Sequence, residues 1–271
     1  MRILFDNGIF SHSEFAEGAI KKQEVLLGDI RQTVEIQGFT RKPPHREKEY
    51  QDQIDALFTI GRLIKEEKVI AYDYIEIQFE RMRDTGKNQV FNALQGCEIQ
   101  RCRSPLERSK FRQSINLIDT ISKGGKKDRK AGIDLGETNQ IAFYKWLITL
   151  GKEHVDVLIQ HATEIGLTEF EVENLKNIDW FQFVCQRSGS PENYPDVFHL
   201  WTAERNGFDG FLTLEKSLPN LISRINNEKT REITTNIEVL RPLDLINKLG
   251  IGNPDPVPME KDRFYHLHEV E

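Results

Sequence analysis

The chain has 271 residues with a formal net charge of −6, and its composition is 38% hydrophobic and 30% charged. That length suffices for a large core, in one big domain or two smaller ones. No apolar run approaches membrane-spanning length, and "MRILFDNGIF" is too short and too polar for a signal peptide, so the cytoplasm is the expected compartment.

In chain order, "RILF" (2–5) is a short apolar run ending at Asp6 and reads as a first, central strand. Residues 11–30 read as helical, "RQTVEIQGFT" has strand character, and a polar, proline-containing loop follows at 40–48. Ile54, Leu57, Phe58, Leu63 and Ile64 give "YQDQIDALFTIGRLIKEEK" the spacing of an amphipathic helix, and "VIAYDY" is a second strand. The period of "IEIQFERMRD" is ambiguous. Ile75, Ile77 and Phe79 alternate as in a strand, while Ile75, Phe79 and Met82 fit a helix. The Asp73-x-x-Glu76 spacing resembles a capping box and favours the helix.

"CEIQRC" is a candidate third strand, and residues 105–182 are mostly helical apart from "SKGGKKDRKAG". In "PDVFHLWTAERNGFDGFLTLEKSL" (195–218), Asp196, His199, Leu200 and Ala203 share one helical face. Pro195 and Asp196 suit a helix start, with Asp196 also a candidate N-cap, and Gly207 suits a stop. "GFLT" then reads as a short buried strand ending at Thr213 and Glu215. "IEVLRP" makes a last strand, "LDLINKLG" a closing helix, and the proline-rich tail from Ile251 a surface cover.

Strands alternating with helices indicate an α/β sandwich with a mainly parallel sheet, whose functional edge lies beyond the carboxyl ends of the strands. Asp6, Thr213 and Glu215 fall at such ends, and Asp196 opens the helix before the second of them. His199 is expected to be packed or hydrogen-bonded, and Asp209 to be structural. Cys97, Cys102 and Cys185 are too few for a disulfide framework and lack zinc-site spacing.

Charge is unevenly distributed. "RCRSPLERSKFR" (101–112) and "KGGKKDRKAG" (123–132) are strongly basic, as is "TRKPPHREK" (40–48). A nucleic-acid binder needs a basic stripe and not a basic total. Arg101, Arg103, Arg108, Lys110, Arg112, Lys126 and Lys127 are thus candidate phosphate contacts, with solvated loops and helix faces as the plain alternative.

"DVFHLWTAERNGFDGFLTLEKSL" resembles the signature of PIN-domain nucleases, in which an aspartate opens a helix reading D-x-x-H-L-x-T-A. "ILFDNGIF" is similar to that family's opening strand and first aspartate, and "IEVLRPLDLINKLG" to its closing strand and helix. The likeness covers about the first hundred residues and 190–250. It implies a single three-layer α/β/α domain with its core in 1–104 and 186–250, a helical insertion at 105–185 and a tail at 251–271.

The resemblance also implies Mg²⁺- or Mn²⁺-dependent phosphodiester cleavage, in RNA more often than DNA, by carboxylates at the sheet edge. Asp6 matches the first acid and Asp196 the third. The second is Glu80 or Glu76, with Glu80 preferred because Glu76 already reads as a cap. At the fourth position "TLEKS" departs from the family pattern, leaving Glu215 to serve, with Thr213 placed to touch a metal-bound water or phosphate. Clustered carboxylates repel one another unless hard, oxygen-seeking cations neutralise them, which is the chemistry such a site needs. Two other readings stand beside the nuclease. One is a PIN-like nucleic-acid-binding or scaffold module that has lost catalysis, and the other a toxin-like nuclease held by a partner protein or antitoxin.

Overall fold

The computed structural model describes residues 1–27, 29–83, 91–111, 135–227 and 237–266. Arg112, Lys126 and Lys127, named above as phosphate contacts, lie outside these residues. The first half of the chain runs β1 (Arg2–Phe5), α1 (Asn7–His12), β2 (Ala16–Leu27), β3 (Ile30–Arg41), α2 (Lys48–Lys65), β4 (Ile70–Asp73), α3 (Ile75–Arg83) and β5 (Ile99–Arg101). Five helices follow: α4 (Leu135–Thr149), α5 (Lys152–Gln160), α6 (Ala162–Ile165), α7 (Glu169–Lys176) and α8 (Asp179–Arg187). The chain then forms α9 (Tyr194–Arg205), β6 (Gly210–Leu212), α10 (Ser217–Asn227), β7 (Glu238–Leu240), α11 (Pro242–Lys248) and β8 (Phe264–His266).

Five of these strands make one sheet in the order β5-β4-β1-β6-β7. Every neighbouring pair in it is parallel. β1 is the middle strand, and its Ile3, Leu4 and Phe5 are fully buried, as continuous apolar runs are when helices cover both faces of a sheet. The α/β architecture with a mainly parallel sheet is therefore as the sequence suggests. α3 is a helix, as the capping-box spacing favoured, although the box itself does not form. Asp73 accepts hydrogen bonds from Gln78 and Arg81, and Glu76 pairs with Arg108.

Of the described residues in the segment 11–30, expected to be helical, only Ser11 and His12 lie in a helix, and Ala16–Leu27 is the first arm of a long hairpin. β2 and β3 pair antiparallel over their whole lengths, and β8 adds to β3 to complete a second, three-stranded sheet. β7 is accordingly not the last strand, because the tail contributes β8.

Helices α4 to α8 belong to the same core as the sheet. α9 is buried almost all round, from Val197 to Ala203, and so carries no polar stripe. The ring of Phe198 lies 4.7 Å from Tyr144 and 5.7 Å from Phe181, and Trp201 stacks on Phe181 at 5.1 Å. The helical section thus clamps the outer side of the helix that carries Asp196. α9 ends at Asn206, and Gly207 follows with φ +64°, a left-handed conformation that glycine adopts at no steric cost.

Candidate acidic site at the carboxyl edge of the sheet

The site starts from Asp6, the residue after β1. Its backbone N–H donates to the Leu212 carbonyl at 2.9 Å, which fixes it against the end of β6. The Thr213 hydroxyl donates to Asp6 Oδ2 at 2.8 Å, and Thr213 Oγ1 in turn accepts from the Glu215 backbone N–H at 3.1 Å. Thr213, itself buried, therefore holds Asp6 in place and turns the chain toward Glu215. Its only hydroxyl proton is taken by Asp6, a positioning role where a substrate contact was expected. Gly8 keeps this corner open, since a Cβ there would stand 3.3 Å from Asp6 Oδ2.

Asp196 lies in the first turn of α9, whose N-cap is Asn193, so it is not the cap residue. His199, one turn on, is only 1% exposed. Its Nδ1 is 2.7 Å from the Tyr74 hydroxyl and its Nε2 is 3.4 Å from Glu80 Oε1. Glu80, on α3, also accepts a hydrogen bond from Gln140 Nε2 at 3.0 Å.

These groups feel one another. Burial pushes the Asp6 carboxyl up, opposed by His199 and by the Thr213 hydrogen bond and reinforced by Glu80. Burial, followed by repulsion from Asp6 and aided by Glu215 and Glu80, raises Asp196 to about 7 against the pull of His199. Burial alone would depress the His199 imidazole, but Glu80, Asp6 and Asp196 outweigh it and hold the ring up at about 9. The imidazolium thus donates to Glu80 and serves as a counter-charge within the cluster. Asp6, Glu80 and Asp196, from three distant elements, are coupled electrostatically to the buried His199, with Glu215 exposed at the rim.

Glu76 does not join them. Arg108 grips it with two hydrogen bonds, Nε to Oε1 at 3.3 Å and Nη2 to Oε2 at 3.1 Å. That pairing sets Glu76 apart from Glu80. It also commits the Nε and Nη2 donors of Arg108 to Glu76, as the 2.5 Å bond commits Lys110 to Glu171. Arg101 and Arg103 remain exposed, the latter over the Phe170 ring at 5.7 Å. Asp209 is structural as expected, accepting the Arg2 backbone N–H at 2.6 Å at the opposite end of the sheet.

Among the described residues, no three His, Cys, Asp or Glu side chains stand close enough to enclose a metal ion as they are placed. The donor set nevertheless suits a hard cation. It offers carboxylate oxygens that burial and mutual repulsion drive toward protonation, and next to Asp6 the buried Asn7 Oδ1 meets no partner among the described residues. Mg²⁺ commonly keeps several waters and takes only one or two protein carboxylates directly, so a looser ring of acids serves it.

Sequence reasoning read His199 as packed or hydrogen-bonded, as its bond to Tyr74 shows, and missed its charge. The signal was present in its i+3 spacing from Asp196, which puts both on one helical face. Nothing local in the sequence pointed to Asn7.

The chain matches no family model, no curated protein and no solved structure to which it was compared. Among the described residues, no helix is long and apolar enough to cross a membrane.

Proposed function

We propose that this chain is a Mg²⁺- or Mn²⁺-dependent endonuclease of PIN-like type that cleaves RNA phosphodiester bonds. The observation that carries the reading is the electrostatic coupling of Asp6, Glu80 and Asp196 to the buried His199, beyond the carboxyl end of the central strand. There, the carboxyls of Asp6 and Asp196 are destabilised by burial and by their acidic neighbours. Asp6, Asp196 and Glu80 are the residues that would hold the ion, with Glu215 at the solvent side. When bound, the ion supplies an activated water and offsets charge on the scissile phosphate.

The chain's own residues do the rest. Thr213 orients Asp6 through its 2.8 Å hydrogen bond. His199, anchored by Tyr74, holds Glu80 toward the cluster and limits the negative charge that the site presents to a polyanion. The exposed Arg101, at the carboxyl end of β5, provides a phosphate contact that positions a strand without reading its sequence.

The test is incubation of purified protein with single-stranded RNA and Mn²⁺, beside an Asp6→Asn/Asp196→Asn variant. Removing two acids of the site is expected to reduce cleavage at least about a hundredfold, the scale at which loss of electrostatic stabilisation in a transition state is felt. Equal cleavage by the two preparations overturns the proposal.

One observation favours a second reading, a PIN-like binding module without catalysis. The buried Leu214 occupies part of the fourth acidic position, and Glu215 points from an exposed turn. Calorimetry with Mn²⁺ separates the two, since a degenerate site takes up no ion at millimolar concentration.

A further inference from the structure

Arg241 follows β7 directly and so emerges at the same edge of the sheet as the acids. The link is short. The Leu240 carbonyl accepts the Thr213 N–H at 3.0 Å, and the Thr213 hydroxyl donates to Asp6. Its neighbourhood is shared with the site. Burial pushes the Tyr50 phenol up, Glu215 and Asp6 add to the rise, and Arg241 opposes it, so Tyr50 lies within electrostatic reach of all three.

The Arg241 side chain is only 11% exposed. Its Nη1 donates to Glu49, yet Nε and Nη2 are buried and meet no acceptor among the described residues. Arg108 shows what a purely structural arginine does in this protein, turning that same Nε/Nη2 edge onto both oxygens of Glu76. Arg241 pairs with its glutamate through the opposite corner and leaves the two parallel donors uncommitted. Buried charged donors without an acceptor are costly, and this edge of a guanidinium matches two oxygens of a phosphate in spacing and direction.

We propose that Arg241 is a phosphate-binding residue of this site, its Nε–H and Nη2–H donating to two non-bridging oxygens of one phosphodiester of a single-stranded nucleic acid. The identity of the ligand rests on the nuclease reading given above; the anion-binding edge is read from Arg241 itself. A lysine at this position keeps the charge but loses the paired donors. Glu49 serves to hold the guanidinium from behind.

The experiment measures affinity by fluorescence anisotropy in the presence of a chelator, so that cleavage is not the readout. The probes are a labelled single-stranded oligonucleotide and its uncharged methylphosphonate counterpart, and the proteins are native, Arg241→Lys and Glu49→Gln. Thermal melting of each protein accompanies the titrations. Arg241→Lys is expected to weaken binding of the charged oligonucleotide about tenfold through loss of the paired donors, with the slope of log affinity against log salt little changed because the charge is kept, and without moving binding of the uncharged one. Glu49→Gln is expected to stay within about twofold of native, because it leaves the donor edge in place.

Three outcomes overturn the assignment: no binding by the native protein, unchanged affinity in Arg241→Lys, or equal weakening by both variants in step with a fall in melting temperature. Failure to cleave RNA with Mn²⁺ sinks the nuclease reading but leaves this binding result standing.

Discussion

One turn apart on α3, Glu76 and Glu80 are both largely buried, and the protein treats them in opposite ways. Glu76 receives a whole arginine fork, so its charge is cancelled and its oxygens are saturated. Glu80 shares one imidazolium, His199, with Asp6 and Asp196. The first arrangement is what a buried carboxylate needs for stability. The second gathers carboxyls in a buried corner where burial and mutual repulsion push Asp6 and Asp196 up, which stability alone does not favour and a cation-binding site does.

The largest effect expected from this contrast comes from its structural side. Arg108→Ala strands the Glu76 charge and is expected to cost about 3–5 kcal/mol in urea unfolding, whereas Glu80→Gln costs less than about 1.5 kcal/mol. Equal losses would erase the distinction between the two glutamates. Next, Mn²⁺ at a hundred times its dissociation constant is expected to stabilise the native protein by about 2.7 kcal/mol and the Asp6→Asn/Asp196→Asn variant not at all, read as a melting-temperature rise in one and a flat response in the other.

Glu204, on α9, offers a third environment for a carboxyl. Burial raises it to about 7 with only Arg205 opposing, and its Oε2 meets no partner among the described residues. Its folded value lies above the ordinary carboxylate range. Its contribution to stability is therefore full below about pH 4.5 and is lost as pH rises through about 7. Glu204→Gln is expected to match native at pH 5 and to be more stable by about 1–2 kcal/mol at pH 8, after discounting for solvent screening. A pH-independent difference in denaturation midpoint contradicts this. The smallest effect is Asp196→Asn without metal, expected to gain about 1 kcal/mol by relieving repulsion from Asp6. A destabilised Asp196→Asn, with its helix intact by circular dichroism, would show that the cluster is not strained.

Much of this arrangement was legible in the sequence where a single period and a clear stop coincide. β1, β4, β6, α2 and α9 have that property, and with them the positions of Asp6 and Asp196. The β2–β3 hairpin does not. Its residues are mostly exposed on both faces, and Ile20 is 62% and Ile30 70% exposed, so no inward-outward alternation marks them as strands. What supports the hairpin lies across it, as in the facing Lys22 and Glu35, whose charges meet at 3.4 Å. β8 depends likewise on a partner more than two hundred residues earlier in the chain. The choice between Glu76 and Glu80 was open for the same reason: four residues apart on one helical face, they are told apart only by Arg108, 32 residues beyond Glu76.

On the nuclease reading, segments far apart in the chain supply Asp6, Glu80 and Asp196 to one divalent cation. Anomalous diffraction from a crystal soaked in Mn²⁺ measures that most directly. The account predicts a single strong peak within coordinating reach of Asp6 and Asp196, with Glu80 as the glutamate on the ion or on one of its waters and Glu76 still on Arg108. A soaked crystal with no peak at this edge, or with manganese bound elsewhere, contradicts it.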